Sequence, residues 1–181
     1  MPQLSVFLII DNPLAKKLLN GVSLHQLALD EANSFCERNK AKLIEVTHAN
    51  LLGAIKESGA DIVIIHDALR PLVSAVQFQR TFGALADSDA VRPTMAFTET
   101  IKALDSQGRL DQTIDRDKVR RLSSPEVIKV SAIDFGGGAS NWSVPLKAGA
   151  KLTEVSADPE SLRINSESEL AVMNAFLLLR K

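Results

Sequence analysis

Short apolar runs alternating with helical patterns predict an α/β fold, with a mostly parallel sheet carrying helices on both faces and a β-hairpin inserted into it. Three observations carry this expectation. Strand-like runs recur at Gln3–Ile10, Ala41–Val46 and Asp61–Ile65, each followed or preceded by a segment of 3.6-residue periodicity. Helix-start signatures of the S-x-x-Q type stand at Ser23 and Ser74. A single turn-centred segment beyond residue 95 breaks the alternation. Sheets of this kind bind ligands beyond the carboxyl ends of their strands.

The elements follow in order. QLSVFLII at Gln3–Ile10 reads as a buried strand. Ser23 opens a capping box with Gln26, and Leu24, Leu27, Ala28, Ala32 and Phe35 give a helix over Ser23–Asn39 its apolar face. Ala41–Val46 is the second strand and Ala49–Glu57 a short helix. DIVII at Asp61–Ile65 is the third strand, and Ser74 with Gln77 starts a helix to about Leu85. Met95–Leu104, the turn Asp105-Ser106-Gln107-Gly108, and Arg109–Ile114 read as a hairpin arm. Gly136-Gly137-Gly138 marks a flexible loop, and Leu152–Val155 a last strand. Ser166 caps a terminal helix whose core face is Leu170, Met173 and Leu177.

Composition bounds the function. The chain has 181 residues, which suits one domain, expected here as 1–181 with an inserted arm at about 95–125. Hydrophobic residues make up 45% and charged residues 24%, which argues against disorder. A net charge of −1 disfavours a nucleic-acid-coating role. One cysteine, Cys36, excludes an intrachain disulfide and any multi-thiolate zinc site. MPQLSVFLII lacks the basic start and cleavage site of a signal peptide, and LAVMNAFLLL is too short to span a bilayer, so a cytoplasmic protein without membrane partners is expected.

The segment richest in chemistry is Ile64-Ile65-His66-Asp67-Ala68-Leu69-Arg70-Pro71. An acid at a strand's carboxyl end stands where a metal or ribose binds, and Arg70 can fork onto a phosphate. The competing reading has Asp67 capping the next turn and Arg70 in a surface ion pair. Elsewhere the residues invite plainer readings. His25 and His48 lack metal-ligand spacing, and Cys36 reads as an inert semi-buried thiol. Trp142 covers a core edge or stacks on a ligand, and Asp105, Asp111 and Asp115 read as solvated.

IIHDALRPLVS resembles the V-x-H-D-A-A-R-P segment of the 2-C-methyl-D-erythritol 4-phosphate cytidylyltransferases. FTETIKALDSQGRLDQTIDRDKVRRLSSPEVI is similar to that family's V-x-D-T-I-K … T-V-D-R-x-x-L-W-x-x-Q-T-P-Q-x-F arm, and ADPESLRINSESELAVMNAFL to its G-x-x-x-N-I-K-I-T-x-P-E-D-L ending. The resemblance covers roughly 61–128 and 152–178. It implies a Rossmann-like doubly wound sheet, a homodimer formed through the arm at 95–125, and transfer of CMP from CTP to a sugar-alcohol phosphate with Mg2+, in non-mevalonate isoprenoid synthesis. It further implies that Asp67 holds metal or nucleotide and that Arg70 belongs to the same site. Thr100 and Arg116 would reach the sugar-phosphate from the partner subunit, and Arg163 stands where the family has a phosphate-facing lysine. Lys102 would support the arm.

The departures cluster in the nucleotide half. The family's glycine-rich A-A-G-x-G-x-R loop, whose N–H groups cradle phosphates, is replaced by Asp11-Asn12-Pro13-Leu14-Ala15-Lys16-Lys17, with no glycine before Gly21. Lys16 or Lys17 is the candidate for the catalytic lysine, and the family arginine has no counterpart. His48-Ala49-Asn50-Leu51 stands for R-x-x-S-V, Gly136-Gly137-Gly138-Ala139-Ser140 for T-D-D-A-S, Leu69 for an alanine near the base pocket, and Ser123-Ser124-Pro125 for Q-T-P. Three functions stay open on these residues. The first is a methylerythritol phosphate cytidylyltransferase of impaired activity. The second is a catalytically inactive paralogue that binds a phosphorylated ligand or a partner protein. The third is a cytidylyltransferase for another alditol phosphate, such as ribitol phosphate.

Overall fold

The computed structural model describes residues 2–137 and 142–179. Strand β1 (Leu4–Ile9) is buried along its whole length. A 3-10 turn at Pro13–Lys16 and two short paired strands, β2 (Leu18–Leu19) and β3 (Val22–Ser23), lead into helix α1 (Leu24–Asn39). The Ser23 hydroxyl accepts the Gln26 N–H at 3.1 Å, which is the capping bond the S-x-x-Q spacing predicts. Lys40 ends α1 in the left-handed conformation, φ 54°.

The chain continues through β4 (Lys42–Val46), α2 (Leu51–Ser58) and β5 (Ile62–Asp67) to α3 (Ala75–Gly83), again capped by a serine, Ser74. Strand β6 (Ala90–Met95) precedes the hairpin β7 (Ile101–Leu104) and β8 (Leu110–Ile114). Strands β9 (Arg121–Leu122), β10 (Glu126–Lys129) and β11 (Leu152–Ser156) follow, then α4 (Glu167–Leu179).

The main sheet runs β4-β1-β5-β10-β6-β11, with β9 paired to the end of β6. β10 is antiparallel to both neighbours, while β4, β1 and β5, and the pair β6 and β11, are parallel. The mostly parallel sheet with helices on both faces matches the expectation. Alternation along β1 sorts the layers: Leu4 and Val6 pack with Phe35 and Phe78 of α1 and α3, while Phe7 and Ile9 pack with Leu51 and Ile55 of α2 on the other face. A third cluster joins Leu8, Ala15, Leu19 and Leu24 to Ile164, Leu170 and Met173 under α4.

Two strands differ from the sequence reading. β6 contains Pro93, which removes a ladder donor and hides an interior strand from pattern analysis. The β10 ladder reaches only Ala90 and Val91 of β6, and β9 resumes at Thr94 and Met95, so Pro93 sits in the gap between them. Met95 therefore closes a strand of the main sheet and does not begin the hairpin. β10 has no helical or alternating signature and joins the sheet through long-range pairing with β5.

The hairpin stands apart as its own two-stranded sheet. Asp105 organises its turn, accepting the N–H groups of Gln107 and Arg109 at 2.9 Å and the Arg109 Nε–H at 2.8 Å. That corrects the reading of Asp105 as merely solvated, because a turn needs its exposed N–H groups satisfied by a side chain. Leu104 and Leu110 are paired across the hairpin and both exposed. Among the described residues no helix is long and apolar enough to cross a membrane.

Candidate functional site

Parallel pairing sets Ile9, the last residue of β1, beside Val46 of β4 and beside Asp67 of β5. The carboxyl ends of three strands thus share one edge. After β1 the chain turns to α1 on one face, and after β4 to α2 on the opposite face. A doubly wound sheet opens its ligand crevice where adjacent strands part in this way. Here the crevice is bridged. Asp11 accepts the His48 backbone N–H at 3.0 Å and lies 2.8 Å from His48 Nδ1. Desolvation pushes the Asp11 carboxyl upward, and the hydrogen bonds and charge of His48 outweigh it, leaving the group below its ordinary value.

The segment after β1 offers no phosphate cradle. Asn12 Oδ1 takes the Leu14 N–H, Asn12 O takes that of Ala15, and Leu14 O takes that of Lys17. Ala15 is buried in the third cluster. The donors that a glycine-rich loop would aim at an anion are consumed inside a 3-10 turn. Lys17 reaches away to Glu167 at the start of α4, 2.7 Å, and Lys16 is exposed. Neither lysine lines the cavity at the end of β5.

That cavity, about 230 Å³, is lined by Asp67, Arg70, Arg92, His66, Ser124 and Arg163 among others. Asp67 Oδ1 accepts the Leu69 N–H at 2.9 Å, so the turn-capping reading of this residue holds. Its Oδ2 receives the Nε–H of Arg163 at 2.7 Å. Arg70 does not make the surface ion pair considered for it. Its Nη1 donates to Ser161 O and its Nη2 to Leu122 O, both at 2.8 Å. Burial, with the nearby Arg163 and Arg121, pushes Arg70 down to about 10 although Asp67 opposes the shift, so the guanidinium stays charged at neutral pH. A larger, mostly apolar cavity of about 800 Å³ adjoins it, walled by Leu122, Leu162, Ile164, Val172 and Met173 and sharing Arg70 and Arg163.

His66 is fully buried beside Asp67, with Nδ1 2.8 Å from the Ser124 hydroxyl and its ring edge-on to Phe78. Burial pushes it down to about 3, and the imidazole is neutral. By resemblance Leu69 replaces an alanine near the base pocket. It is instead fully buried in the third cluster with Leu8, Ile164 and Met173, because the turn after Asp67 directs it under α4.

Thr100 is exposed beside the hairpin's first strand, and Arg116 is exposed beyond its second. Arg116 Nη1 donates to Thr98 O at 2.6 Å, and neither residue lines a cavity with Asp67. Gly136 and Gly137 are described, while Gly138, Ala139 and Ser140 lie outside the described residues. Cys36 is buried, and burial with Glu37 pushes its thiol up to about 11, consistent with an inert role. His25 faces Glu45 at 3.3 Å.

The sequence reading missed Arg92 and Glu126. Both sit on strands beneath the site, Glu126 pairs with Arg92, and the Arg92 guanidinium lies 4.7 Å above the centre of the Trp142 ring. A charged residue beside Ala90 and Val91 in a short strand-like stretch was the available signal.

A sequence model of the 2-C-methyl-D-erythritol 4-phosphate cytidylyltransferase family matches residues 45–178. The match excludes the segment from β1 through α1. Among similar proteins, the "Bifunctional enzyme IspD/IspF" of Rhodopseudomonas palustris strain BisB18 is 38% identical over 82 residues, 45% of this chain and 21% of that protein. The cytidylyltransferase of Parasynechococcus marenigrum strain WH8102 is 29% identical over 131 residues, 67% of this chain and 58% of that protein. The chain thus spans about a fifth of the bifunctional relatives and somewhat over half of the second. Among solved structures, 4-diphosphocytidyl-2C-methyl-D-erythritol synthase from Anaerococcus prevotii aligns over 98% of this chain and 99% of its own, TM-score 0.79 at 16% identity. The Thermus thermophilus cytidylyltransferase aligns over 98% and 100%, TM-score 0.77 at 18% identity. At these identities the likeness concerns the fold.

Proposed function

The chain belongs to the 2-C-methyl-D-erythritol 4-phosphate cytidylyltransferase family, and on that premise we propose that it transfers CMP from CTP to methylerythritol phosphate, releasing pyrophosphate. The observation that carries this reading is the convergence of Asp67, Arg70 and Arg163 on one cavity at the carboxyl end of β5. Two guanidiniums beside one carboxylate suit a phosphate ester whose oxygen attacks a phosphorus in line. Arg163 and Arg70 would bind and orient the sugar-phosphate, and the turn-capping bond from Leu69 holds Asp67 in register with them.

Among the described residues no three acidic, histidine or cysteine side chains form a metal cluster. Mg2+ commonly takes only one or two carboxylates and fills its shell with water and substrate phosphates, and each Asp67 oxygen keeps a lone pair beyond its one hydrogen bond. Asp67 would hold Mg2+, which supplies charge neutralisation on the transferred phosphoryl group.

We place the protein in the cytoplasm as a homodimer. Leu104 and Leu110 leave the hairpin with an apolar surface of the kind a second copy covers, which would bring Thr100 and Arg116 to the partner's site. The buried free thiol of Cys36 suits a reducing compartment.

A second reading is favoured by the Asp11–His48 bridge and the occupied backbone donors of Asn12–Lys17. In it the chain is an inactive relative that keeps the phosphate half and binds a phosphorylated ligand or a partner. One assay separates the two: pyrophosphate release from CTP, Mg2+ and methylerythritol phosphate, with Arg116→Ala as control. Release that vanishes in the variant supports transfer. A folded sample without release overturns it in favour of the second reading.

A further inference from the structure

The inference that follows rests on the reading above for the location of the site and adds a residue to it. Arg92 lies on β6 and lines the same cavity of about 230 Å³ as Arg70 and Arg163. Its side chain is 11% exposed and its partner Glu126 is 4% exposed. Glu126 Oε2 also accepts the Ser143 N–H at 2.9 Å. One buried carboxylate therefore fixes both the guanidinium and the segment that carries Trp142, whose ring lies under that guanidinium. The acid at 126 stands where the resemblance in sequence has glutamine.

The charges around the cavity do not balance. Arg70, Arg92 and Arg163 face it against Asp67 and Glu126, which leaves an excess of positive charge. Arg92 is lowered to about 10 by burial and by Arg70, so the two guanidiniums sense one another while both stay charged. His66 lines the same cavity, is fully buried, and its Nε2 has no hydrogen-bond partner. An unmet buried polar atom of that kind carries a desolvation cost, which a ligand oxygen accepting from Nε2–H would recover. That donor exists in the tautomer in which the Ser124 hydroxyl donates to Nδ1. The volume is below the ~300–1,000 Å³ of pockets that enclose whole organic ligands, so it suits a single phosphoryl group.

We propose that Arg92 is a phosphate-binding residue of this site, held by Glu126 and Trp142 so that it closes with Arg70 and Arg163 on a phosphate or phosphate monoester. It supplies a cation that the segment after β1 does not. Trp142 is the only tryptophan and the chain has no tyrosine, so emission excited at the indole band reports on this cluster directly.

The test is a titration of the full chain with inorganic phosphate, followed by Trp142 emission and by calorimetry. Saturable binding with a change in emission is expected, because the anion's charge arrives beside the guanidinium that lies 4.7 Å over the indole ring. Arg92→Gln leaves Glu126 buried without its partner, so the double variant Arg92→Met with Glu126→Gln, which removes both charges, is measured beside it with circular dichroism as the check on folding. Phosphate affinity about tenfold weaker in the folded double variant supports the proposal, with hairpin variant Asp111→Asn binding as the parent does. Equal affinity in parent and double variant overturns it and leaves the cytidylyltransferase reading to its own assay of pyrophosphate release. No phosphate binding by the parent overturns it too, and release of pyrophosphate from CTP in that same sample would show that only this inference had failed.

Discussion

Asp67 and Arg163, 96 residues apart, are joined by a 2.7 Å hydrogen bond between a carboxylate oxygen and a guanidinium Nε. The bond links the end of β5 to the stretch before α4, and it couples the carboxylate proposed for Mg2+ to the cation proposed for the sugar-phosphate. In this arrangement two cations share one carboxylate, and the charge of Arg163 opposes a metal ion on the remaining lone pairs.

Arg163→Ala is therefore expected to strengthen Mg2+ binding and weaken binding of methylerythritol phosphate, each read by calorimetry. Charge-assisted bonds of this type are worth ~1.5–3 kcal/mol, so the loss of sugar-phosphate affinity is about tenfold or more. Mg2+ affinity unchanged by the substitution would exclude Asp67 as a direct metal contact. Arg163→Lys retains the charge but not the fork, and an intermediate affinity is expected.

Arg70 is expected to act on stability as well as on binding. Its two bonds to Ser161 O and Leu122 O tie β9 to the stretch before α4. Arg70→Ala removes both charge-assisted bonds, at about 2–4 kcal/mol, although Ser161 O keeps the Ser123 hydroxyl at 3.1 Å. For a chain of this length that lowers the melting temperature by roughly 5–15 °C in a thermal scan. Arg70→Lys cannot span both carbonyls and should not restore the midpoint. A variant that melts with the parent would refute the clamp.

The Asp11–His48 bridge makes a prediction about nucleotide. Asp11→Asn removes a negative charge from the crevice and weakens the bridge, so CTP should bind more tightly than to the parent, by up to about tenfold in fluorescence or calorimetric titration. Unchanged affinity would mean that the bridge does not gate the crevice. Asp11 is held below its ordinary value, so the contact is complete above the usual carboxylate range and is lost only as pH falls through the lowered value.

His66 predicts a pH dependence of stability. Its ordinary value of 6.5 falls to about 3 in the folded chain through burial. The unfolded chain binds this proton below 6.5 and the folded chain does not, so stability is full above 6.5 and declines as pH drops toward 3. The slope approaches about 1.4 kcal/mol per pH unit from this one group. Urea unfolding at pH 7.5 and pH 5 should show the decline, and His66→Gln should flatten it. An equally steep profile in the variant would assign the acid sensitivity elsewhere.

The hairpin predicts the oligomeric state. Leu104→Lys with Leu110→Lys places two charges on its exposed apolar pair and should convert a dimer to a monomer in analytical ultracentrifugation, without altering the far-ultraviolet spectrum. A parent that is already monomeric at all concentrations would exclude the arm as a dimer contact.

Local chemistry alone determined much of this molecule. Apolar runs gave β1 and β5 their burial, S-x-x-Q spacing placed the starts of α1 and α3, and the turn residues Asp105 and Gly108 set the hairpin, because each depends on neighbours a few residues away. The motif around Asp67 and Arg70 was legible for the same reason. Tertiary structure decided what those residues touch. Asp11 meets His48 only because β1 and β4 are adjacent and parallel, and Asp67 meets Arg163 only because the stretch before α4 returns to the end of β5. Leu69 turned into the core, Lys17 turned toward Glu167, and Arg92 found Glu126 across β6 and β10. Periodicity carries no information on strand order, and strand order is what brings distant charges within reach of one another.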